Sequence, residues 1–145
     1  MVDVGEKPES ERLAVAGGSL VMRMATLAAL REGRTPKGDP LQVAQVAGIM
    51  AAKRTPELIP LCHPLPLTQV DVRFQLDDQL PGVLVTASAR VRGRTGVEME
   101  ALTAAAVALL TLYDMLKGID RELQLTGIRL LRKEGGQSGT WIAPE

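Results

Sequence analysis

The chain has 145 residues, 46% of them apolar, which suits one domain with a core of ordinary size and excludes a disordered chain. Only Phe74, Tyr113 and Trp141 are aromatic, so that core must be aliphatic. Lys plus Arg and Asp plus Glu both number 17, a balance that excludes a general nucleic-acid or membrane-surface binder but leaves room for a local basic cluster around a small anion.

Residues 1–10 are polar and expected to be mobile. Glu11–Met22 alternates loosely around Gly17-Gly18 and predicts a strand with a bulge or bend. Met24–Arg31 fits a short helix with Leu27 and Leu30 on one face and Gly33 as its stop. After a loop carrying Lys37, Asp39-Pro40 is an N-cap and first-turn pair that opens a helix to about Lys53. Its expected buried stripe is Val43, Val46, Ala47 and Met50. Leu58–Thr68 holds Pro60, Pro64 and Pro66, and with them the only cysteine, Cys62, and the only histidine, His63. Proline fixes φ and drives its preceding residue toward extended geometry, so His63 is presented on a stiff connector. The apolar neighbours Leu58, Ile59, Leu61, Leu65 and Leu67 suggest that this connector packs down.

Val70–Leu76 and Val83–Val91 alternate apolar and polar residues across a turn at Asp77–Gly82, the pattern of an antiparallel hairpin. Thr95-Gly96-Val97-Glu98 matches a capping box, and the helix behind it runs to about Lys117, apolar on nearly every side. Leu123–Arg132 reads as the last strand, with a parity change at Gly127 that predicts a bulge. Residues 134–145 are glycine-rich and expected to be mobile. The order is β-α-β-β-α-β with an extra helix: an α+β fold, a ferredoxin-like antiparallel sheet with helices on one face, in a single domain spanning 1–145.

A lone imidazole on a rigid loop is a natural acid–base group, although a partly buried histidine with one hydrogen bond is the plainer reading. Glu98 also reads as a helix cap, Glu100 as a complement to the helix dipole, and Asp114 with Lys117 as a surface i,i+3 pair. The long helix weighs against the plain reading of Asp114. Glu100, Thr103, Val107, Leu110, Asp114 and Lys117 share one stripe, apolar in the middle and charged at the ends. Its Glu100 and Asp114 are separated by about 21 Å along the axis, too far for one small site within one helix. Two copies packed antiparallel across a two-fold axis would bring one copy's Glu100 near the other's Asp114.

Other chemistries find no support. There is no Walker loop, no dinucleotide fingerprint and no nucleophile elbow. Adjacent Cys62-His63 is poor zinc spacing with no second pair to complete a site, so neither metal nor cofactor is expected. One cysteine fits a reducing compartment, and the first residues lack the regions of a signal peptide. The longest uncharged run, Ala101–Tyr113, falls short of the roughly 18 residues of a membrane span. The sequence reads as soluble and cytoplasmic.

Met1–Val4, Lys37-Gly38-Asp39, Ala47–Ile49, Ala51–Thr55, Leu58–Leu65, Thr95–Thr103 and Tyr113-Asp114-Met115 together resemble the MoaC family of molybdenum cofactor biosynthesis, over nearly the whole chain. The resemblance implies an enzyme, a lyase that rearranges 3′,8-cyclo-7,8-dihydroguanosine 5′-triphosphate to cyclic pyranopterin monophosphate and releases pyrophosphate. It implies a ferredoxin-like fold in a homohexamer, a trimer of dimers, with the active site at the dimer interface. By motif match, Leu61, Cys62, His63, Met99 and Glu100 contact the substrate, and Asp114 is catalytic with Lys117 beside it. Lys37, Glu98, Lys133 and Arg12 also match active-site positions. On that reading Lys37, Lys117, Lys133 and Arg12 hold phosphate oxygens. Glu98 or Glu100 accepts from the guanine-derived N–H groups, and Asp114 and His63 move protons. Lys117 is an alternative acid or base if its pKa is lowered. One departure stands out: Gln137 replaces the second lysine common in the family's C-terminal loop. A non-catalytic oligomeric module for purine nucleotides on the same fold is the alternative from another class.

Overall fold

The computed structural model describes residues 1–145. Alternating apolar and polar residues form strands β1 (Ser10–Val21), β2 (Gln69–Asp77), β3 (Gly82–Gly93) and β4 (Gln124–Glu134), joined at the edge by a short β5 (Trp141–Ile142). They form one antiparallel sheet in the order β2-β3-β1-β4-β5, the ferredoxin-like order with one strand added. Helices α1 (Met24–Arg31), α2 (Pro40–Lys53), α3 (Thr55–Leu58) and α4 (Glu98–Leu116) complete the fold. β5 lies in the C-terminal stretch expected to be mobile, where Trp141 pairs with Lys133 and Ile142 with Arg132. Two residues of strand are too short to leave an alternation that a sequence reading detects.

The local signals at α1 and α2 are realised. The Gly33 N–H reaches the Leu30 carbonyl and the Arg34 N–H reaches that of Ala29, a Schellman closure that needs the positive φ of Gly33, 72°. Asp39 caps α2 by accepting from the Gln42 N–H at 3.2 Å. The expected capping box of α4 does not form. Val97 is the N-cap and no side chain caps it. Glu98 begins the helix and turns its carboxylate to Lys133.

The core is aliphatic. Ala14, Ala16 and Leu20 of β1 and Val83, Val85, Ala87, Ala89 and Val91 of β3 share the core with Ala101, Ala104, Ala105, Ala108, Leu109 and Leu112 of α4. The expected stripe of α2 is corrected: Val43, Val46 and Met50 are exposed, and Ala44, Gly48, Ala51 and Ala52 are buried instead. The reason is distance between helices. A Cβ on Gly48 would stand 2.9 Å from the Ala104 carbonyl oxygen, so α2 meets α4 along its smallest residues. α4, the one helix long and apolar enough to cross a membrane, is thus the core helix of the domain.

The bulge expected at Gly127 is present. β1 pairs with β3 without a break, while its pairing with β4 shifts register between Val15 and Ala16 and between Gly17 and Ser19, and both shifts give β4 the extra residue, the second beside Gly127 at φ 66°. Gly17 and Gly18 serve close packing: added Cβ atoms would lie 2.8 Å from Leu131 and Leu109, respectively. In the connector, Leu58 belongs to α3, and Leu58 and Leu61 are exposed, whereas Leu65 and Leu67 pack on the core.

Asp120, which the sequence reading passed over, ties the end of α4 to the start of α1. Its buried carboxylate accepts from the Arg23 N–H at 3.0 Å, the Thr26 hydroxyl at 2.7 Å and the Glu122 N–H at 2.8 Å. Burial works to raise its pKa, but these hydrogen bonds and the Arg23 charge outweigh it and hold the carboxyl below its ordinary range.

Gly48→Ala tests the helix contact. It gains about 1 kcal/mol of helix propensity, yet forces α2 from the Ala104 carbonyl, an overpacking that costs about 1–3 kcal/mol. Denaturant unfolding should show a net loss of stability; a stabilised variant would contradict the packing described.

Candidate active site

The predicted site residues gather at the two ends of α4. At its N-terminal end, Glu98 pairs with Lys133 of β4 at 2.8 Å. Both line a cavity of about 550 Å³ with Arg12, Ser10, Gln137 and Ser138. Arg12 reaches it from β1, its Nε–H donating to the Gly93 carbonyl at 3.2 Å. The loop after β4 closes over this arginine. Gly136 has φ 78°, and a Cβ there would lie 2.1 Å from Arg12 Nη1, so only glycine fits. Gln137 therefore lines the cavity as a neutral group among three cations, Lys7, Arg12 and Lys133.

In the first turn of α4, Glu100 is buried, 1% exposed, although it carries a carboxyl group. Its Oε2 has only the Cys62 thiol nearby, at 3.9 Å, and its Oε1 has no hydrogen-bond partner. Burial, and after it the Glu98 charge, push the Glu100 carboxyl up from its ordinary value. Burial likewise raises the Cys62 thiol, helped by Glu100. A buried carboxyl with one oxygen unsatisfied is costly, and such groups concentrate where a ligand completes them. Met99 and His63 are half-buried nearby in sequence, and Leu61 is exposed. The His63 Nε2 lies 2.7 Å from the Val2 carbonyl oxygen.

At the C-terminal end of α4, Asp114 is exposed and held between two lysines. Lys117 Nζ lies 2.8 Å from its Oδ1, and Lys37 Nζ lies 3.2 Å from its Oδ2 and 3.1 Å from its backbone carbonyl. The Lys117 hydrogen bond, then that of Lys37, holds the Asp114 carboxyl below its ordinary range. Lys117 is correspondingly pushed up by Asp114, opposite to the lowering that an acid–base lysine needs. The stripe that was expected to be buried between its charged ends is not buried throughout. Glu100 and Thr103 are buried, but Leu110 and Asp114 face solvent, away from the sides of α4 that pack on the sheet and on α2.

No three His, Cys, Asp or Glu side chains converge as metal ligands. The chemistry available is a pair of cationic sites for anions, with carboxyl groups of opposed pKa shift and one imidazole for proton transfer. Fold and site together define a ferredoxin-like scaffold that presents cationic groups suited to an anion beside carboxyl groups suited to proton transfer.

The chain belongs to the MoaC family, whose pattern matches residues 1–136. It is 62% identical over 143 residues to the cyclic pyranopterin monophosphate synthase of Rhodospirillum rubrum, covering 99% of this chain and 86% of that protein. It is 58% identical to the proteins of the same name from Cereibacter sphaeroides, over 99% of this chain and 90% of the relative, and from Brucella ovis, over 100% and 88%.

Glu100→Gln tests the buried carboxyl. A raised folded-state pKa means that its stability contribution is complete at low pH and is lost as pH rises from the ordinary carboxylate range through the folded value. The glutamine variant lacks that loss. Its unfolding free energy should therefore gain on the parent as pH rises and converge with it in acid, with Cys62 and Glu98 as the neighbouring ionisable groups. A gap that widens in acid would show that the carboxyl is not disfavoured as an ion.

Proposed function

We propose that the chain converts 3′,8-cyclo-7,8-dihydroguanosine 5′-triphosphate to cyclic pyranopterin monophosphate, with release of pyrophosphate, as a soluble cytoplasmic enzyme of molybdenum cofactor biosynthesis. The names of the relatives supply the reaction. The observation that carries it onto this chain is the Lys37–Asp114–Lys117 group, a solvent-exposed carboxylate neutralised by two ammonium groups that a triphosphate would draw away.

The chemistry follows from that competition. Phosphate oxygens bind Lys37 and Lys117, and Asp114 loses the hydrogen bonds that keep its pKa low. Substrate binding thereby makes Asp114 a better base where ring opening and closure need one. Closing a cyclic phosphate on a triphosphate expels pyrophosphate, whose charge the lysines hold together with Lys133 and Arg12. At the other end of α4, Glu98 and the unsatisfied Glu100 oxygen accept the N–H groups of the guanine-derived ring. Leu61, Cys62 and Met99 contact the substrate, and His63 moves a second proton.

Because the two ends of α4 are about 21 Å apart, the site is shared between subunits, in a dimer that assembles further into a hexamer. Support comes from the exposed apolar side chains of the helices, Val43, Val46 and Met50 of α2 and Leu110 of α4, which a partner subunit would cover.

Incubation with the cyclic triphosphate tests the reading by pyrophosphate release and pterin fluorescence after oxidation. Asp114→Asn should bind the substrate yet lose about 10²–10⁴ in turnover, the usual worth of a general acid or base. Near-parental turnover in that variant would remove Asp114 from the chemistry, and no product from the parent would overturn the reaction itself.

A further inference from the structure

Met1–Val4 is a family-matched segment that neither the core nor the proposed reaction uses. It is tied down without being buried: Met1 is 71% and Val2 74% exposed. Polar contacts hold it. Asp3 accepts from the Gly5 N–H at 2.8 Å, and the Val4 carbonyl accepts from the Lys7 N–H at 3.1 Å. The Gly5 carbonyl accepts from Arg94 at 3.1 Å, just beyond β3. Lys7 and Pro8, next along the strap, line the cavity that holds Arg12, Glu98 and Lys133. One strap thus borders that cavity and ends on His63.

We propose that the N-terminal strap is part of the active site and that the Val2 backbone carbonyl is a positioning group for His63, holding its imidazole as the Nε2–H form and leaving Nδ1 as the nitrogen that exchanges a proton with the substrate. A carbonyl oxygen only accepts, so the 2.7 Å contact requires the hydrogen on Nε2. In a neutral imidazole the other nitrogen then carries the lone pair. The backbone of His63 is already restricted by Pro64, and the strap supplies the second anchor that fixes the ring. A group held this way meets the substrate with its tautomer and direction set beforehand, which is what a proton-transfer residue needs. The proton-exchange part rests on the proposed reaction; the tautomer and its anchor do not.

The chain has a single histidine, so imidazole NMR reports on His63 alone. In the intact chain the Nε2–H proton should be directly visible and protected from exchange, with Nδ1 unprotonated in the neutral ring. Deleting residues 2–4, or the milder Arg94→Ala, should speed that exchange by on the order of ten-fold or more. With substrate, the deletion should lower kcat by about ten-fold and leave KM within about two-fold, a smaller loss than removal of an acid–base group itself. In a His63→Ala background the same deletion should cost nothing further. A proton on Nδ1 in the intact chain, an Nε2–H that exchanges freely, or an equal loss from the deletion in the His63→Ala background would each overturn the proposal. A parent chain without turnover would overturn the reaction and leave the imidazole measurement to decide the anchor.

Discussion

Close packing of α4 is the constraint on which the rest of the structure depends. Its alanines are buried between the sheet and α2, and Gly48 lets α2 approach its backbone to the limit of contact. A helix held on two sides by residues of minimal size has little freedom to shift or rotate. Its ends are therefore fixed points, and both ends carry the charged groups of the site. The scaffold transmits its rigidity to the chemistry through one element.

The two ends solve opposite electrostatic problems. At the N-terminus the helix dipole favours acidic groups, and Glu98 and Glu100 lie in the first turn. Glu98 is neutralised by Lys133, but Glu100 is buried with one oxygen unsatisfied, and its carboxyl resists ionisation. At the C-terminus the dipole disfavours a carboxylate, and two lysines offset this for Asp114, which stays ionised. One helix thus presents a carboxyl pushed up and another pushed down, a division that lets similar groups play different parts in proton transfer. Under the proposed reaction neither state is final, because an anionic ligand would compete for the lysines and a hydrogen-bond donor would complete Glu100.

Much of this was legible in the residues. Period-two alternation located the four long strands, and Asp39-Pro40 and Gly33 marked helix ends by local chemistry that the structure realises. What was not legible depended on tertiary distance. The stripe Val43, Val46 and Met50 has the right spacing for a core face, but helix contact selected the smaller residues instead. Thr95 and Glu98 have capping-box spacing, but Lys133, from β4, captured the carboxylate. The glycines of β1 signalled a bulge or bend; the register does shift there against β4, but the extra residue is in β4, and the close contact the glycines permit could not be read. In the site, the residue types and their motifs were readable, whereas the burial of Glu100, the double lysine clasp on Asp114 and the anchoring of His63 by Val2 each require partners from distant segments.

The central claim is that the two ends of α4 act together across subunits. Its most direct test mixes Glu100→Ala chains with Asp114→Ala chains under conditions of subunit exchange. If one chain's Glu100 works with its partner's Asp114, a mixed dimer holds one intact site and one doubly altered site. Random mixing should then recover about a quarter of the parental turnover from two inactive preparations. Turnover that stays at the level of the separate variants, with exchange verified, would contradict a shared site.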